Sequence, residues 1–485
     1  MISRATLAIA VPAAPALVVV LVVLVPGRLV TLVARIAAVP TAVLAVMLAI
    51  EAMRAPGDPV VGDWLVVDVA GGLLVGVIGL VGLASVLVSQ TSLDRARTSL
   101  VSPERRDRVY YAVLYAFWAI LLAVPLAGNL GGAWLLVAAT TAASALLVGF
   151  SGTGRALEAG WKYLVLTSLG LGVALLGIVV LAAGVPDGGL GALSWRALSG
   201  HASSDGALVA YLLLLAGLAA KIGWAPVHNW LPDAHSEAPP AVSALLSAAL
   251  LPAVLLVAWR SEQTLAPVIG ARTAETVLVA FGLASLAVAI PFLWRSLPWK
   301  RLLAYSSLEH MGVIALGIGF ASPLALAGVA VHIVGHAIAK ALGFYAAGPL
   351  LAVEPHAADR PATGLARGNP VLGTSMGVSL AALAGLPPSP LFVSEVLIVA
   401  GGFQAGRPWA AAATALLLAL GFLGLAHALL ETTGGRRRRR VADVAGLGTL
   451  GALASVSVVL LLALTAAAVW LPGSDLVDAL AKGVS

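Results

Sequence analysis

The chain of 485 residues contains no cysteine. That excludes disulfides, thiolate metal sites, iron–sulfur clusters held by the chain, and thiol catalysis. Charge is also scarce: Asp, Glu, Lys and Arg make up 10% of the sequence, against about 25% in soluble globular chains. Apolar residues make up 60%, and the mean hydropathy is +1.03. A soluble chain of this composition would expose long apolar runs to water, so a soluble enzyme, a disordered chain and a nucleic-acid binder are excluded. Missing too are a glycine-rich phosphate loop between a strand and a helix, a run of metal ligands, and a nucleophile with its base. No catalytic site, metal or cofactor is therefore expected in this chain. What remains is an all-α polytopic membrane protein.

A helix needs about 20 mainly apolar residues to cross a bilayer. Fourteen stretches qualify, at about 5–25, 29–50, 70–90, 108–128, 132–150, 162–184, 206–226, 239–259, 274–294, 302–320, 323–350, 370–402, 408–430 and 447–471. The first resembles a signal peptide, with Arg4 before an apolar run, but it is long enough to span and has no clear small-residue cleavage site. It is expected to be a first helix. Spans 7 and 12 are interrupted at Pro226 and at Pro387-Pro388, where proline removes a backbone donor and breaks the helix. Broken helices five spans apart suggest two inverted five-helix repeats, spans 4–8 and 9–13. The alternative is chance pairing of tolerated prolines. The expected divisions are 1–107 (helices 1–3), 108–260 (first repeat), 261–432 (second repeat) and 433–485 (a basic loop and helix 14).

Lys and Arg are distributed unevenly. The loops after odd-numbered spans hold 18 of the 28, including Arg95, Arg97, Arg105, Arg106, Arg108, Lys300, Arg301 and the run Arg436 to Arg440. The opposite face holds seven. The positive-inside rule then puts both termini on the extracytoplasmic side of the cell membrane. The arginine run reads as a topology anchor; the alternatives are an anionic-lipid or nucleic-acid patch.

Ionisable residues inside spans cost at least about 2.5–3.5 kcal/mol each, so they face the bundle interior or a watery path. They are Arg35, Lys221, Glu309, His310, His332, His336, Lys340, Glu395 and His427. His332, His336 and Lys340 recur every four residues, on one helical face, with about 6 Å per step. Such a ladder suits proton hopping through histidine and bridging water; the bland reading is three polar groups bonding neighbouring helices. Lys221 precedes the first break and reads as a buried switchable cation rather than a snorkelling lysine. Glu395 follows the second break and reads as its acidic counterpart, or as a cap on the second half-helix.

The stretch Lys221-Ile-Gly-Trp-Ala-Pro-Val-His-Asn-Trp-Leu-Pro-Asp-Ala-His-Ser-Glu-Ala-Pro-Pro-Ala-Val-Ser243 resembles the seventh-helix signature of the antiporter-like subunits of respiratory complex I and Mrp cation antiporters. Lys300-Arg-Leu-Leu-Ala-Tyr-Ser-Ser-Leu-Glu-His-Met-Gly312 resembles the segment entering that family's tenth helix, and His332 to Gly348 its histidine–lysine helix. The similarity covers spans 4–13. Within the family, Ser-Ser-Leu-Glu-His-Met-Gly and Gly385-Leu-Pro-Pro-Ser-Pro-Leu-Phe-Val-Ser-Glu395 look most like the F component of hydrogenase-4-type, group 4 membrane-bound hydrogenases. The complex I subunit with a twelfth-helix glutamate is the near alternative. Since the chain stops soon after span 14, the long lateral helix of the largest complex I relative is not expected.

The resemblance implies a proton path. Lys221 would be the central proton acceptor of a first half-channel, His332, His336 and Lys340 the relay of a second, and Glu395 its outlet. His228, Asp233, His235, Glu309 and His310 would support them. Two departures stand out. Ala138 or Ala139 is expected where the family carries a fifth-helix glutamate, and helix 8 reads Leu250-Leu251-Pro252 where a lysine or histidine is common. The first half-channel is therefore expected to be impaired or silent.

The function implied is an ion-translocating subunit of a redox-driven complex. It would hold no cofactor itself, and its partners would be other membrane subunits and, through them, a peripheral redox arm. Two alternatives stay open: an Mrp-like monovalent cation/proton antiporter, and a non-pumping structural paralogue.

Overall fold

The computed structural model describes residues 3–56, 60–93, 103–184, 190–201, 206–434 and 446–483. Long runs of Leu, Val, Ala and Ile satisfy their backbone groups internally as helices, the form that a bilayer allows. In chain order these are α1 (Arg4–Leu24), α2 (Val30–Arg54), α3 (Val69–Leu93), α4 (Pro103–Ala123), α5 (Leu130–Val148), α6 (Gly154–Ala183), α7 (Trp195–His201), α8 (Ala207–Ile222), α9 (Trp230–Glu237) and α10 (Pro240–Leu245). There follow α11 (Leu251–Ile269), α12 (Ala271–Leu293), α13 (Trp299–Phe320), α14 (Pro323–Val353), α15 (Leu365–Gly368), α16 (Pro370–Leu383), α17 (Pro390–Gln404), α18 (Pro408–Thr433), α19 (Leu447–Ala468) and α20 (Asp475–Lys482). A π-helical turn, Leu246–Leu250, joins α10 to α11. The β structure is a two-residue hairpin, Val60–Val61 against Val66–Val67.

Among the described residues, 12 helical segments are long and apolar enough to cross a membrane. Three further apolar helices are shorter: α8, α16 and α17. They fall where the prolines were expected to break spans 7 and 12. The first break runs from Gly223, in the left-handed region at φ 81°, through Trp224, Ala225 and Pro226. The second runs from Gly385, at φ 68°, through Pro387 and Pro388. Ser389 caps the restart: its side chain accepts from the Leu391 N–H at 3.1 Å. Glu395 is therefore not that cap.

The chain is a multi-pass membrane protein. Leu17, Leu24, Leu169, Leu176, Leu430 and Val459 are exposed on the outer helices α1, α6, α18 and α19. Trp64, Trp161, Trp294, Trp409 and Trp470 are exposed near helix ends, as in the aromatic belts of membrane–water interfaces. By contrast, α10, α11 and α13 are enclosed by other helices.

Ion pairs group the loops. Arg155–Asp359 (2.8 Å), Lys162–Asp233 (3.3 Å) and Arg301–Asp233 (2.7 Å) gather the first turns of α6, the start of α13, α9 and the segment after α14 on one face. Arg407–Glu275 (2.7 Å) tie the opposite face. Arg95, Arg97 and Arg436 to Arg440 lie outside the described residues. Two cations assigned to loops are buried instead. Lys300 donates to the Ser236 and Ala238 carbonyls (2.6 Å each), filling the C-terminal end of α9. Arg260, 1% exposed, pairs with Asp68 at 2.8 Å and locks α11 to the start of α3.

Candidate ion path

The first cluster is built on α5, α6 and α8. Lys221, on the last turn of α8, is fully buried. Its Nζ donates to Thr141 Oγ1 at 2.8 Å and to the Tyr163 hydroxyl. Tyr163 in turn meets Ser144 Oγ at 2.7 Å, and Nζ stands 4.5 Å above the Tyr163 ring. The face of α5 turned to the lysine is thus Val137, Thr141 and Ser144, spaced four and three residues apart. Ala138 and Ala139 are half-buried and make no contact of this kind. Thr141, rather than either alanine, is the α5 residue that touches the lysine. No ion pair among the described residues includes Lys221, so its charged form has hydroxyl partners but no counter-charge.

The second cluster is built on α13, α14 and α17. His332, His336 and Lys340 are all fully buried on α14. Lys340 Nζ donates to the Leu303 carbonyl at 2.6 Å and to Ser306 Oγ, both on α13. His332 and His336 have ring centroids 6.5 Å apart, too far for direct transfer. His310, on α13, fills the gap: its ring lies 5.1 Å from His332 and 5.2 Å from His336. The cluster is therefore not confined to one helix; His310 joins it from α13.

Ser394 Oγ lies 2.7 Å from the Leu391 carbonyl and 2.9 Å from His332 Nδ1, and His332 Nε2 meets His310 Nδ1 at 3.0 Å, so both ring nitrogens of His332 are hydrogen-bonded. Both nitrogens of His336 are buried without a partner, and His310 stands beside the Leu383 backbone, within hydrogen-bonding reach. The next ionisable group is Glu395, one carboxylate oxygen of which lies within 4.8 Å of a ring nitrogen of each of the two histidines.

Glu395 is half-buried, and its carboxylate lies against Gly385 at the second break. Glu309 is 3% exposed, with one oxygen unpartnered, and packs against Gly421 of α18, where a Cβ would collide with it. It lies within electrostatic reach of Lys340.

The remaining expected residues separate. His235 is fully buried on α9, unpartnered at both ring nitrogens and stacked on Phe344 at 4.9 Å. It lies within electrostatic reach of Lys340 and Lys300. His228 is half-buried in the first break beside Pro226. Asp233 sits on the loop face with Lys162 and Arg301, away from Lys221's hydrogen bonds. His427 is exposed on α18. Ser247, in the π-helical turn between α10 and α11, bonds Ser307 of α13 at 2.8 Å. Such turns recur at functional sites.

Residues 127–421 match the family described as NADH:quinone oxidoreductase/Mrp antiporter, TM. The chain belongs to this family. Its relatives include a hydrogenase-4 component F homolog of Methylacidiphilum infernorum, 33% identical over 373 residues, 75% of this chain and 78% of that one. NADH-quinone oxidoreductase subunit N of Desulforudis audaxviator is 29% identical over 356 residues, 71% of this chain and 68% of that one. In fold, the chain is similar to one in the membrane-bound sulfane sulfur reductase, an archaeal respiratory membrane complex. The TM-score there is 0.83 at 22% identity, over 99% of this chain and 100% of the other. It is thus an antiporter-like membrane subunit of the complex I, Mrp and group 4 hydrogenase type.

Proposed function

We propose that this antiporter-like subunit moves protons across the cell membrane within a redox-driven complex of the hydrogenase-4 or complex I kind. Electron transfer would occur in partner subunits, in a peripheral arm attached through other membrane subunits. The observation that carries this reading is the second cluster. His310, His332, His336, Lys340, Glu309 and Glu395 are brought together from three helices inside a bilayer-sized bundle, where six titratable groups cost too much to keep for packing alone. Relatedness to a hydrogenase-4 component F homolog and to a quinone oxidoreductase subunit supports the redox setting. The first cluster serves as a subordinate branch, because Lys221 faces Thr141 and Tyr163 and no carboxylate.

The loop face bearing Arg155, Lys162 and Arg301 is assigned to the cytoplasm on its excess of positive charge, and both termini to the other side. The test is the complex purified with its co-isolating partners and reconstituted in liposomes. Lys340→Ala and Glu395→Ala should each abolish redox-driven proton movement while the complex stays assembled. Wild-type pumping by both variants would refute the proposal.

A further inference from the structure

Proton transfer through the second cluster leaves one property of it unassigned. His310, His332 and Glu395 come from α13, α14 and α17, and one ligand atom of each lies within 4.8 Å of the other two. We propose that these three side chains form a binding site for a divalent transition-metal ion of the Zn²⁺ class, and that a bound ion closes the path. The blocking half rests on the proposed function; the binding half does not.

Donor chemistry selects the ion. Two imidazole nitrogens and one carboxylate oxygen suit a borderline ion such as Zn²⁺, whose three-ligand sites keep a fourth position open. Mg²⁺ and Ca²⁺ favour oxygen throughout. Two nitrogens bound at about 2.0–2.1 Å in a tetrahedral site stand about 3.4 Å apart. His310 Nδ1 and His332 Nε2 are 3.0 Å apart, so the pair has to open by only a few tenths of an ångström.

The surroundings are prepared. Ser394 Oγ meets His332 Nδ1 at 2.9 Å, which aims Nε2 at the site, the outer-shell arrangement of metal-bound histidines. A metal on His310 Nδ1 requires the proton on Nε2, and the Leu383 backbone beside that histidine can hold it there. Binding then breaks only the histidine–histidine bond that the metal replaces. Among the described residues, no group hydrogen-bonds the Glu395 carboxylate, so coordination displaces no donor. His336, its ring 5.2 Å from that of His310 and both nitrogens unpartnered, stands ready as a fourth ligand, with water as the substitute. A metal here occupies the lone pairs that carry the proton. Occupancy and transfer exclude each other.

The probe is Co²⁺, added to the full-length untagged protein in lipid nanodiscs and followed by visible absorption, with Zn²⁺ in competition. One Co²⁺ per chain with the intense bands of a four- or five-coordinate ion, displaced by Zn²⁺, is expected. His332→Gln and Glu395→Gln should each weaken binding by at least about 10-fold. Glu395 is half-buried and free of hydrogen bonds, so its variant stays decisive if the histidine variant does not fold. Weak six-coordinate absorption, or equal binding by wild type and Glu395→Gln, would overturn the site. In reconstituted complexes, Zn²⁺ at saturating occupancy should stop proton movement; undiminished movement would overturn the blocking. Metal binding by a chain whose metal-free complex pumps nothing would leave the site standing and remove the proposed function instead.

Discussion

His310 Nδ1 and His332 Nε2 share a hydrogen bond of 3.0 Å, and the other ring nitrogen of His332 meets Ser394 Oγ at 2.9 Å. Ser394, itself 2.7 Å from the Leu391 carbonyl, thus fixes the His332 ring against His310. In the proton path proposed above, Ser394 is a positioning residue.

Ser394→Ala should therefore slow proton movement without abolishing it, because His332 then rotates and changes tautomer freely. A loss of about 10-fold is expected, in the range seen when an orienting partner is removed. Nitrogen NMR of labelled histidine should report a mixed tautomer for His332 in place of a single one. An unchanged single tautomer would remove Ser394 from its role.

Gly421 bears on the path without being ionisable. Glu309 packs so closely against it that a methyl group cannot be added unless the carboxylate moves. Gly421→Ala should reduce translocation while leaving assembly and every titratable group in place. Full activity would mean that the position of Glu309 is immaterial.

Arg260 and Asp68 make a clamp rather than a path. Both are buried and 2.8 Å apart, and Arg260 also reaches the Ala127 carbonyl at 3.5 Å. Arg260→Leu leaves a buried carboxylate unpaired and should cost about 3–5 kcal/mol of stability. Adding Asp68→Asn should recover part of the loss. Thermal unfolding of the two variants in one detergent measures both effects.

Much of this was legible in the sequence. Composition demands spans, proline and glycine mark the breaks, and a four-residue recurrence puts His332, His336 and Lys340 on one face. What stayed hidden depends on how helices are rotated and paired. The sequence of α5 carries no mark of which side meets Lys221, so Thr141 was not legible as its partner. Arg260 reads as a loop cation because its partner lies 192 positions away. His310 joins the ladder from another helix, and a ligand set drawn from three helices leaves no spacing pattern to find. One signal was available: Glu309-His310 in a span otherwise free of charge.

Orientation can be tested cleanly because the chain has no native cysteine. Ala358→Cys lies on the loop face assigned to the cytoplasm, and Gln404→Cys on the opposite face; both positions are exposed. In intact cells, an impermeant maleimide should label Gln404→Cys and spare Ala358→Cys until the membrane is opened. The reverse pattern would invert the assignment.

The central claim is that the second cluster carries the ion and the first does not limit it. The most direct test compares proton movement by reconstituted complexes bearing Lys221→Met or Lys340→Met, side by side. Lys340 bonds the Leu303 carbonyl and the Ser306 hydroxyl and lies within electrostatic reach of Glu309 and His336; Lys221 is held by two hydroxyls with no carboxylate in reach among the described residues. Lys340→Met should abolish movement and Lys221→Met should cost little. Equal loss in the two variants would contradict the account and show that the first half-channel is live.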